Sequence, residues 1–460
     1  MKKEDTISAI ATAMGEGSIG IVRISGDEAI DVAEKIFRSP RGKKLSHTGS
    51  YQAVYGNITD TDGEMVDEAI ALVMRAPNSY TKENVVELQC HGGIRPLLKT
   101  LSLTYEAGAR PAERGEFTKR AFLNGRLDLM QAQAVMDMIQ AKTDSALFMA
   151  AGHLSGKCSG EIRSLRHRIL ELIAHLEAVI DFPEDDLDSV VLQEVKKKVI
   201  DIVNELDHFL QTAHTGRILR EGLMTAIIGK PNVGKSSLLN MLLRTERAIV
   251  TDQPGTTRDS IEEYADIGGV PLHIIDTAGI RETDDRVEKI GVERARSCAE
   301  QAGLIFALFD GSRPLSEEDE EILSLLSGKE AVLLVNKSDL PQKWEKEDLE
   351  RRFPEIPVIS ISTKTENGLE ALQSVILDKV YTGYHKEEEI PLVRDERESN
   401  ILRKTIVHLK EALQTMEKGM GEDFVSIDLR SAWEILGEFT GETAGEDIID
   451  EIFSRFCIGK

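Results

Sequence analysis

The chain has 460 residues, 41% of them hydrophobic and 30% charged, and its formal net charge at pH 7 is -24. This is the composition of a soluble globular protein, and the length predicts about three domains. Such acidity disfavours nonspecific binding to nucleic acid or to anionic membranes, so any RNA contact would need a local basic patch.

Residues 1–118 are predicted to form a small α+β domain. Apolar runs bounded by glycines predict strands at 6–13, 19–24 and 85–90, a hairpin at 51–74, and helices at 27–37 and 94–106. Arg23 and Glu87 each lie inside an apolar strand. Buried charge is costly unless it is paired. The two side chains therefore either point outward or line a pocket for a ligand that carries both a carboxylate and amine donors.

Two helical segments, 119–215 and 383–460, are predicted to form one discontinuous helical domain. Apolar residues recur at helical spacing in both segments. The segment between them, 216–382, is predicted to be an inserted domain, with polar hinges at 216–222 and 382–391. Basic residues cluster at 157–168 and 394–404. They could contact phosphates, but solvated helix faces paired with glutamates are the preferred interpretation.

The inserted segment contains a phosphate-binding motif. Residues 229–236, GKPNVGKS, fit G-x-x-x-x-G-K-[ST], between an apolar run typical of a buried strand and the start of a predicted helix. Glycines let backbone N–H groups approach phosphates, and the helix N-terminus favours an anion. Lys235 would reach the β- and γ-phosphates, and the Ser236 hydroxyl would bind Mg²⁺.

Three further motifs follow in order, and together they indicate a GTPase. The first, DTAG at 276–279, offers a carboxylate for Mg²⁺ and an N–H for the γ-phosphate. The second, NKSD at 336–339, offers the Asp339 carboxylate to the ring N–H and amine of guanine, which adenine cannot match. The third, STK at 362–364, offers backbone N–H groups to guanine O6. The candidate GTP-binding residues are Asn232, Val233, Gly234, Lys235, Ser236, Ser237, Thr251, Asp252, Gln253, Pro254, Gly255, Thr256, Thr257, Asp276, Thr277, Ala278, Gly279, Asn336, Lys337, Asp339, Ser362, Thr363 and Lys364.

The means of hydrolysis is left open by the residues themselves. Residues 251–259 are predicted to be a switch loop, in which Thr257 is the candidate Mg²⁺ ligand. Ile280 stands where a Ras-type GTPase has the glutamine that orients water. Arg281 as an arginine finger, or a monovalent cation beside Asn232, would stabilise the transition-state charge instead.

Metal and disulfide signals are weak. The four cysteines form no C-x-x-C pair, and the histidines form no H-E-x-x-H motif. We therefore expect neither a disulfide framework nor protein-ligated zinc. No apolar run reaches the ~18 residues of a membrane-spanning helix, and no signal-peptide core follows Met1. The expected location is cytoplasmic, without membrane attachment.

The whole chain resembles the MnmE (TrmE) family of bacterial tRNA-modification GTPases. The specific marks are GIVRISG at 20–26, RAFLNGRLD at 120–128, the inserted GTPase unit and the tail CIGK at 457–460. The resemblance implies a multidomain α/β and all-α protein. Its parts are an α+β folate and dimerisation domain, a discontinuous helical domain and an inserted Ras-like P-loop GTPase domain.

The resemblance also implies roles for particular residues. A tetrahydrofolate derivative, 5-formyl- or 5,10-methylene-tetrahydrofolate, would bind Arg23, Glu87, Arg126 and Lys460. K⁺ would bind Asn232, Thr251, Gln253 and Thr256, and Mg²⁺ would bind Ser236 and Thr257. The catalytic candidates are Glu288, which would position water, with Lys235, Arg281 and Cys457.

The activity implied by the resemblance is wobble-uridine modification of certain tRNAs. A homodimer would join a flavoprotein of the MnmG type in a heterotetramer. Together they would add an aminomethyl-type group (carboxymethylaminomethyl) at C5 of the uridine, with a folate one-carbon unit. Potassium-dependent dimerisation of the GTPase domains would drive the cycle. A regulatory or ribosome-assembly GTPase is the alternative, because the GTPase motifs alone fit both.

Overall fold

The computed structural model describes residues 5–181, 188–245, 263–275, 296–381 and 390–460. By compactness the chain divides into two units. The first comprises Met1–Met136, Leu154–Arg168 and Trp433–Lys460, and the second comprises Asp137–His153 and Ile169–Ala432. No helix in the described stretches is long and apolar enough to cross a membrane.

Thirteen strands are described, in two sheets. The first sheet comprises β1 (Ile7–Ile10), β2 (Ile19–Ser25), β3 (Phe37–Arg38), β4 (Gln52–Thr59), β5 (Met65–Met74), β6 (Val85–His91) and β7 (Arg110–Pro111). The second comprises β8 (Leu223–Gly229), β9 (Glu263–Ile267), β10 (Val270–Ile274), β11 (Leu304–Asp310), β12 (Ala331–Asn336) and β13 (Val358–Ser360).

Fourteen helices with defined bounds lie in the same described stretches. They are α1 (Ala29–Ile36), α2 (Ile94–Glu106), α3 (Glu116–Leu123), α4 (Leu129–Gln140), α5 (Asp144–Leu154), α6 (Lys157–Asp181), α7 (Asp188–Glu221), α8 (Lys235–Thr245), α9 (Glu317–Ser324), α10 (Lys346–Arg352), α11 (Leu369–Val380), α12 (Glu396–Glu417), α13 (Glu422–Thr440) and α14 (Glu446–Ser454).

The first unit is built on a mixed sheet of order β3-β4-β5-β6-β2-β1-β7. Its strands pair antiparallel except for β1 with β7. Alternating apolar residues of the strands pack with the apolar faces of α1 and α2 to form its core, which includes Val22, Leu88 and Leu97. The predicted α+β organisation and the hairpin of β4 and β5 are confirmed.

The second unit contains a doubly covered sheet of order β13-β12-β11-β8-β10-β9. All neighbours are parallel except β9, which pairs antiparallel with β10. Strands β11 and β12 are buried along their whole length, as expected for strands covered on both faces. The loops at the carboxyl ends of parallel strands in such a sheet are where ligands bind.

The predicted hinge at 216–222 is wrong in its position. Helix α7 continues through Thr215 to Glu221, and only Gly222, with φ of +88°, leaves it. Gly216 is a packing residue, because a Cβ there would overlap the carbonyl oxygen of Val393. Ile218, in the last turn of α7, is part of the hydrophobic core around β8. The second predicted hinge lies mostly outside the described residues.

Arg394 is not on a solvated helix face, contrary to the interpretation from its basic cluster. Its side chain is 1% exposed and lies against Glu398, 0% exposed, at 2.5 Å and Asp137 at 3.1 Å. Arg220 pairs with the same Asp137 at 2.8 Å and with Asp395 at 3.2 Å. This buried ion cluster joins α4, α7 and α12 within the second unit.

Candidate functional site

The phosphate-binding motif forms the loop between β8 and α8. The strand ends at Gly229 and the helix begins at Lys235. Three residues have positive φ angles: Gly229 at 155°, Asn232 at 62° and Gly234 at 108°. A Cβ at residue 234 would overlap the Asn336 amide, so this position requires glycine. A loop of this kind, opening a helix, is suited to an anion.

Lys235 is held against its own loop. Its Nζ donates to the carbonyl oxygens of Gly229 at 2.7 Å and Lys230 at 2.8 Å, and burial lowers the pKa of its ammonium group. Anionic phosphates would favour the charged form that burial disfavours. Lys230 instead anchors the loop, with its Nζ 2.6 Å from Asp319 Oδ2 and 2.8 Å from Ser316 Oγ.

Asn336 connects the base motif to the phosphate loop. Its Nδ2 donates to the carbonyl oxygen of Val233 at 2.7 Å, and its Oδ1 accepts from the Thr363 backbone N–H at 3.1 Å. Neighbouring Lys337, with φ of +64°, places its Nζ 2.6 Å from Asp310 Oδ2. Burial opposes ionisation of Asp310, but the Lys337 ammonium and Ser312 outweigh it and hold its pKa below the ordinary value.

The proposed guanine contacts are brought together but are more restricted than predicted. Asp339 is exposed, and its Oδ1 accepts from the Ser362 hydroxyl at 2.7 Å, which uses one of about four lone-pair positions. The Ser362 N–H donates to the carbonyl oxygen of Asn367, and the Thr363 N–H to Asn336. Of the three predicted N–H groups, Lys364 is therefore the one left for guanine O6.

Two of the GTP-binding segments and most of the catalytic and metal candidates lie outside the described residues. These are Thr251, Asp252, Gln253, Pro254, Gly255, Thr256 and Thr257 of the predicted switch loop, Asp276, Thr277, Ala278 and Gly279 of the DTAG motif, and the catalytic candidates Arg281 and Glu288. Of the K⁺ and Mg²⁺ candidates, Asn232 lies exposed in the loop and Ser236 lies half-buried in the first turn of α8. The loop thus presents an amide and a hydroxyl, both suitable oxygen ligands for hard cations.

A second set of predicted residues meets in the first unit. Arg23 and Glu87 are directly opposite on β2 and β6, and their side chains are each 15% exposed. Both Nε and a terminal nitrogen of Arg23 contact Glu87 Oε1, at 2.9 and 2.8 Å. They do not point outward into solvent, and they form an ion pair with each other instead.

Two aromatic rings lie beside this ion pair. The guanidinium of Arg23 lies 5.4 Å from the ring centre of Tyr80 and 5.6 Å from that of Phe117, and the guanidinium of Arg126 lies 4.7 Å from Tyr80. Tyr80 Oη is 2.9 Å from Thr118 Oγ1, which fixes its ring. Cation–π contacts of this kind hold guanidinium groups in defined positions.

The C-terminal tail contacts the same cluster of residues. The Phe117 N–H donates to the carbonyl oxygen of Lys460, and Arg23 donates to that of Gly459 at 3.4 Å. Burial and the nearby Arg23 cation lower the pKa of the Lys460 ammonium group. Gly459 has φ of +93°, and a Cβ there would overlap the carbonyl oxygen of Ile10. Cys457 is exposed in this tail.

The sequence analysis missed Tyr80, Phe117 and Asp310. Asp310 could have been found from the sequence, since it is the last residue of β11 and the only polar one, after six apolar residues. The two aromatic residues carried none, because Tyr80 lies in a loop and Phe117 has the position of an ordinary core residue of α3.

Two family models match the chain. Residues 6–126 match the model "GTP-binding protein TrmE N-terminus", and residues 129–457 match the model "MnmE helical domain". A curated tRNA modification GTPase MnmE from Alkaliphilus metalliredigens (strain QYMF) is 48% identical over 458 residues, which is 99% of each chain. The chain belongs to the MnmE family. Its curated relatives are named as GTPases of tRNA modification, so the predicted family, fold class and enzyme class are confirmed.

Other MnmE relatives give the same result. The tRNA modification GTPase MnmE of Clostridioides difficile (strain 630) is 49% identical over 457 residues, 99% of each chain. That of Geobacillus thermodenitrificans (strain NG80-2) is 48% identical over 462 residues, 100% of each chain. Among solved structures, the G domain of the T. maritima FeoB iron transporter covers 34% of this chain, and 97% of its own, at 26% identity and a TM-score of 0.26, a likeness too weak to bear on function.

Proposed function

We propose that this MnmE-family GTPase modifies the wobble uridine of certain tRNAs, in the cytoplasm and together with a flavoprotein. The observation that supports this beyond GTP hydrolysis is the cluster of Arg23, Glu87, Tyr80 and Lys460, which a switch-type GTPase does not need. In the proposed reaction a tetrahydrofolate derivative supplies the one-carbon unit, which becomes part of an aminomethyl-type group at C5 of the base.

The residues of this cluster fit a reduced folate. Its pterin ring carries an amine and a ring N–H. The Glu87 carboxylate can accept hydrogen bonds from both groups while Arg23 holds that carboxylate in place. The cationic side chains of Arg126 and Lys460 suit the carboxylates of the folate tail. The half-buried ring of Tyr80 supplies a flat surface that a pterin ring can stack against, whereas Phe117 is fully buried and supports Arg23 from within. Cys457 lies three residues before Lys460 and is the accessible thiol at this site.

Replacing Glu87 by glutamine is expected to weaken binding of 5-formyl-tetrahydrofolate by about 10- to 100-fold, because a charge-assisted acceptor becomes a neutral one. Isothermal titration of the full-length protein measures this. The matched control is Glu64→Gln, the same change at an exposed carboxylate between β4 and β5. Unchanged affinity in Glu87→Gln, or no folate binding by the unmodified protein, would contradict the folate assignment and favour a regulatory or ribosome-assembly GTPase.

Hydrolysis is proposed to depend on K⁺ bound beside Asn232 and on Glu288, which would position the attacking water. The amide oxygen of Asn232 and carbonyl groups of the switch loop, with Thr251, Gln253 and Thr256, offer an all-oxygen set of ligands. The ion would supply positive charge between the phosphates, as an arginine finger does elsewhere. Mg²⁺ would bind Ser236 and Thr257.

We expect phosphate release from GTP to be at least about 10-fold faster in KCl than in NaCl of equal strength, because removing one transition-state charge contact costs 10²–10³ in rate. Glu288→Ala should lose that stimulation, whereas the control Glu317→Ala, an exposed carboxylate of α9, should retain it. Equal rates in the two salts would rule out the K⁺ site and leave Arg281 or an activating partner as the source of charge.

The protein is further proposed to act as a homodimer through its N-terminal sheet. The β4 and β5 hairpin exposes Tyr51, Tyr55, Met65 and Ile70, and Tyr55 lies directly opposite Ile70. Large apolar side chains exposed on one hairpin are typical of an interface. Sedimentation of the unliganded protein at the mass of a single 51.0 kDa chain would rule this out. The heterotetramer with an MnmG-type flavoprotein is proposed on family membership.

A further inference from the structure

The helical hairpin of α12 and α13 carries a cluster of metal-ligating side chains that includes no residue of either site described above. His408 and Glu411 lie one turn apart on α12, and Asp428 lies on α13. One ligand atom from each lies within 4.8 Å of the other two. Among the residues that the structure describes, no other group of three or more histidine, cysteine and carboxylate side chains meets this condition.

The polar atoms of this cluster are poorly satisfied by the protein itself. His408 Nδ1 is buried and accepts or donates no hydrogen bond, and the nearest carboxylate oxygen, Glu411 Oε2, lies 3.0 Å away as an ion-pair contact. Partial burial and the Glu411 carboxylate raise the pKa of Asp428 above its ordinary value. Two crowded carboxylates and an unbonded ring nitrogen form an arrangement that a cation would stabilise.

We propose that His408, Glu411 and Asp428 form a site for a divalent transition-metal ion, for which Zn²⁺ is the probe. One imidazole and two carboxylates suit zinc, whereas Mg²⁺ prefers oxygen ligands alone. Three protein ligands leave a further position for water. The ion would link α12 to α13 in the second unit, and this inference is independent of the proposed folate and K⁺ sites.

The geometry requires only small side-chain movements to close around an ion. Ligand atoms about 2.1 Å from a shared zinc lie roughly 3.4 Å apart in a tetrahedral arrangement. The Glu411 side chain is 51% exposed and can rotate towards the others. Thr415, the next residue on this face of α12, donates its hydroxyl to Asp428 Oδ2 at 3.4 Å. Such a contact orients a ligating carboxylate from behind.

Isothermal titration of the full-length protein with ZnCl₂, in excess Mg²⁺ to occupy the nucleotide loop, tests the site. We expect one Zn²⁺ per chain for the unmodified protein and for the control His47→Gln, an exposed histidine of the first unit. His408→Gln and Asp428→Asn should each weaken that binding by about 100-fold or more, since loss of even an outer partner costs 10- to 100-fold.

Circular dichroism and GTP hydrolysis in Mg²⁺ should be unchanged in both variants, which separates loss of the metal from loss of the fold. If the unmodified protein binds no Zn²⁺, or if both variants bind it as tightly, the proposal is overturned. Loss of binding in only one of the two variants would overturn the three-ligand assignment. A visible absorption spectrum of tetrahedral or five-coordinate Co²⁺, lost in the same variants, would support it.

Discussion

Replacing Asp339 by asparagine is expected to weaken GTP binding by about 100-fold or more and to allow binding of xanthosine triphosphate. Guanine donates a ring N–H and an amine to the carboxylate, and hydrogen bonds to a charged acceptor contribute roughly 1.5–3 kcal/mol each, against 0.5–1.5 for neutral ones. Two weakened bonds cost about 3 kcal/mol, or a factor of about 100. Xanthine carries a carbonyl in place of the amine, to which the asparagine amide can donate.

Competition titration with a fluorescent guanine nucleotide measures both changes. The control for loss of charge is Asp348→Asn, the same substitution at a half-exposed carboxylate of α10. Ser362→Ala tests the support of the carboxylate, because the Ser362 hydroxyl donates to Asp339 Oδ1, and it should have a smaller effect of about 10-fold or less. If Asp339→Asn binds GTP as tightly as the unmodified protein does, residues 336–339 do not select the base.

Replacing Arg394 by methionine is expected to lower the free energy of unfolding of the second unit by about 3–5 kcal/mol, since it leaves buried carboxylates without their cation. Glu398 is 0% exposed and loses its side-chain ion pair, and Asp137 keeps only Arg220. Methionine has a similar volume to the arginine stem, so the effect reports charge more than packing.

The matched control is Arg403→Met on the same helix. Arg403 pairs with Glu396 at 2.6 Å, but both side chains are more than half exposed, and such pairs contribute about 0–1 kcal/mol. Urea denaturation followed by circular dichroism compares the two variants, with hydrogen exchange of α12 as a local measure. Equal losses in Arg394→Met and Arg403→Met would show that the buried cluster does not stabilise this unit.

Local sequence patterns predicted many of the secondary-structure elements. Helix α2 has its predicted bounds, and β4 and β5 form the predicted hairpin, with Asp62 and Gly63 between the two strands. Both depend on short-range chemistry, namely apolar periodicity and turn residues. The nucleotide motifs were equally predictable, because the strand, loop and helix that position Lys235 are contiguous in the chain.

The errors arise where the decisive contact is distant in the chain. Arg394 is buried because Asp137, 257 residues away, meets it, and no local pattern carries that information. The glycine at position 216 led to the prediction of a hinge. It lies within helix α7, where the backbone of Val393 approaches so closely that no side chain fits. The cluster around Tyr80 likewise depends on a tail more than 370 residues further along the chain. Residues of that tail contact two of the residues that surround Arg23 and Tyr80: Lys460 accepts from the Phe117 N–H, and Gly459 accepts from Arg23 itself.

Helix α7 has a mechanical consequence for the nucleotide cycle. Its last turn belongs to the core around β8, and α7 also packs against α12. A single uninterrupted helix therefore connects the sheet of the second unit with α12, and it ends only at Gly222. Its 34 residues, at 1.5 Å each, make a rod of about 51 Å. A tilt of about 10° at the end of α7 that adjoins β8 would therefore displace the other end of the helix by about 9 Å. A small rotation of the sheet that carries the phosphate loop would in this way become a large displacement at the start of α7.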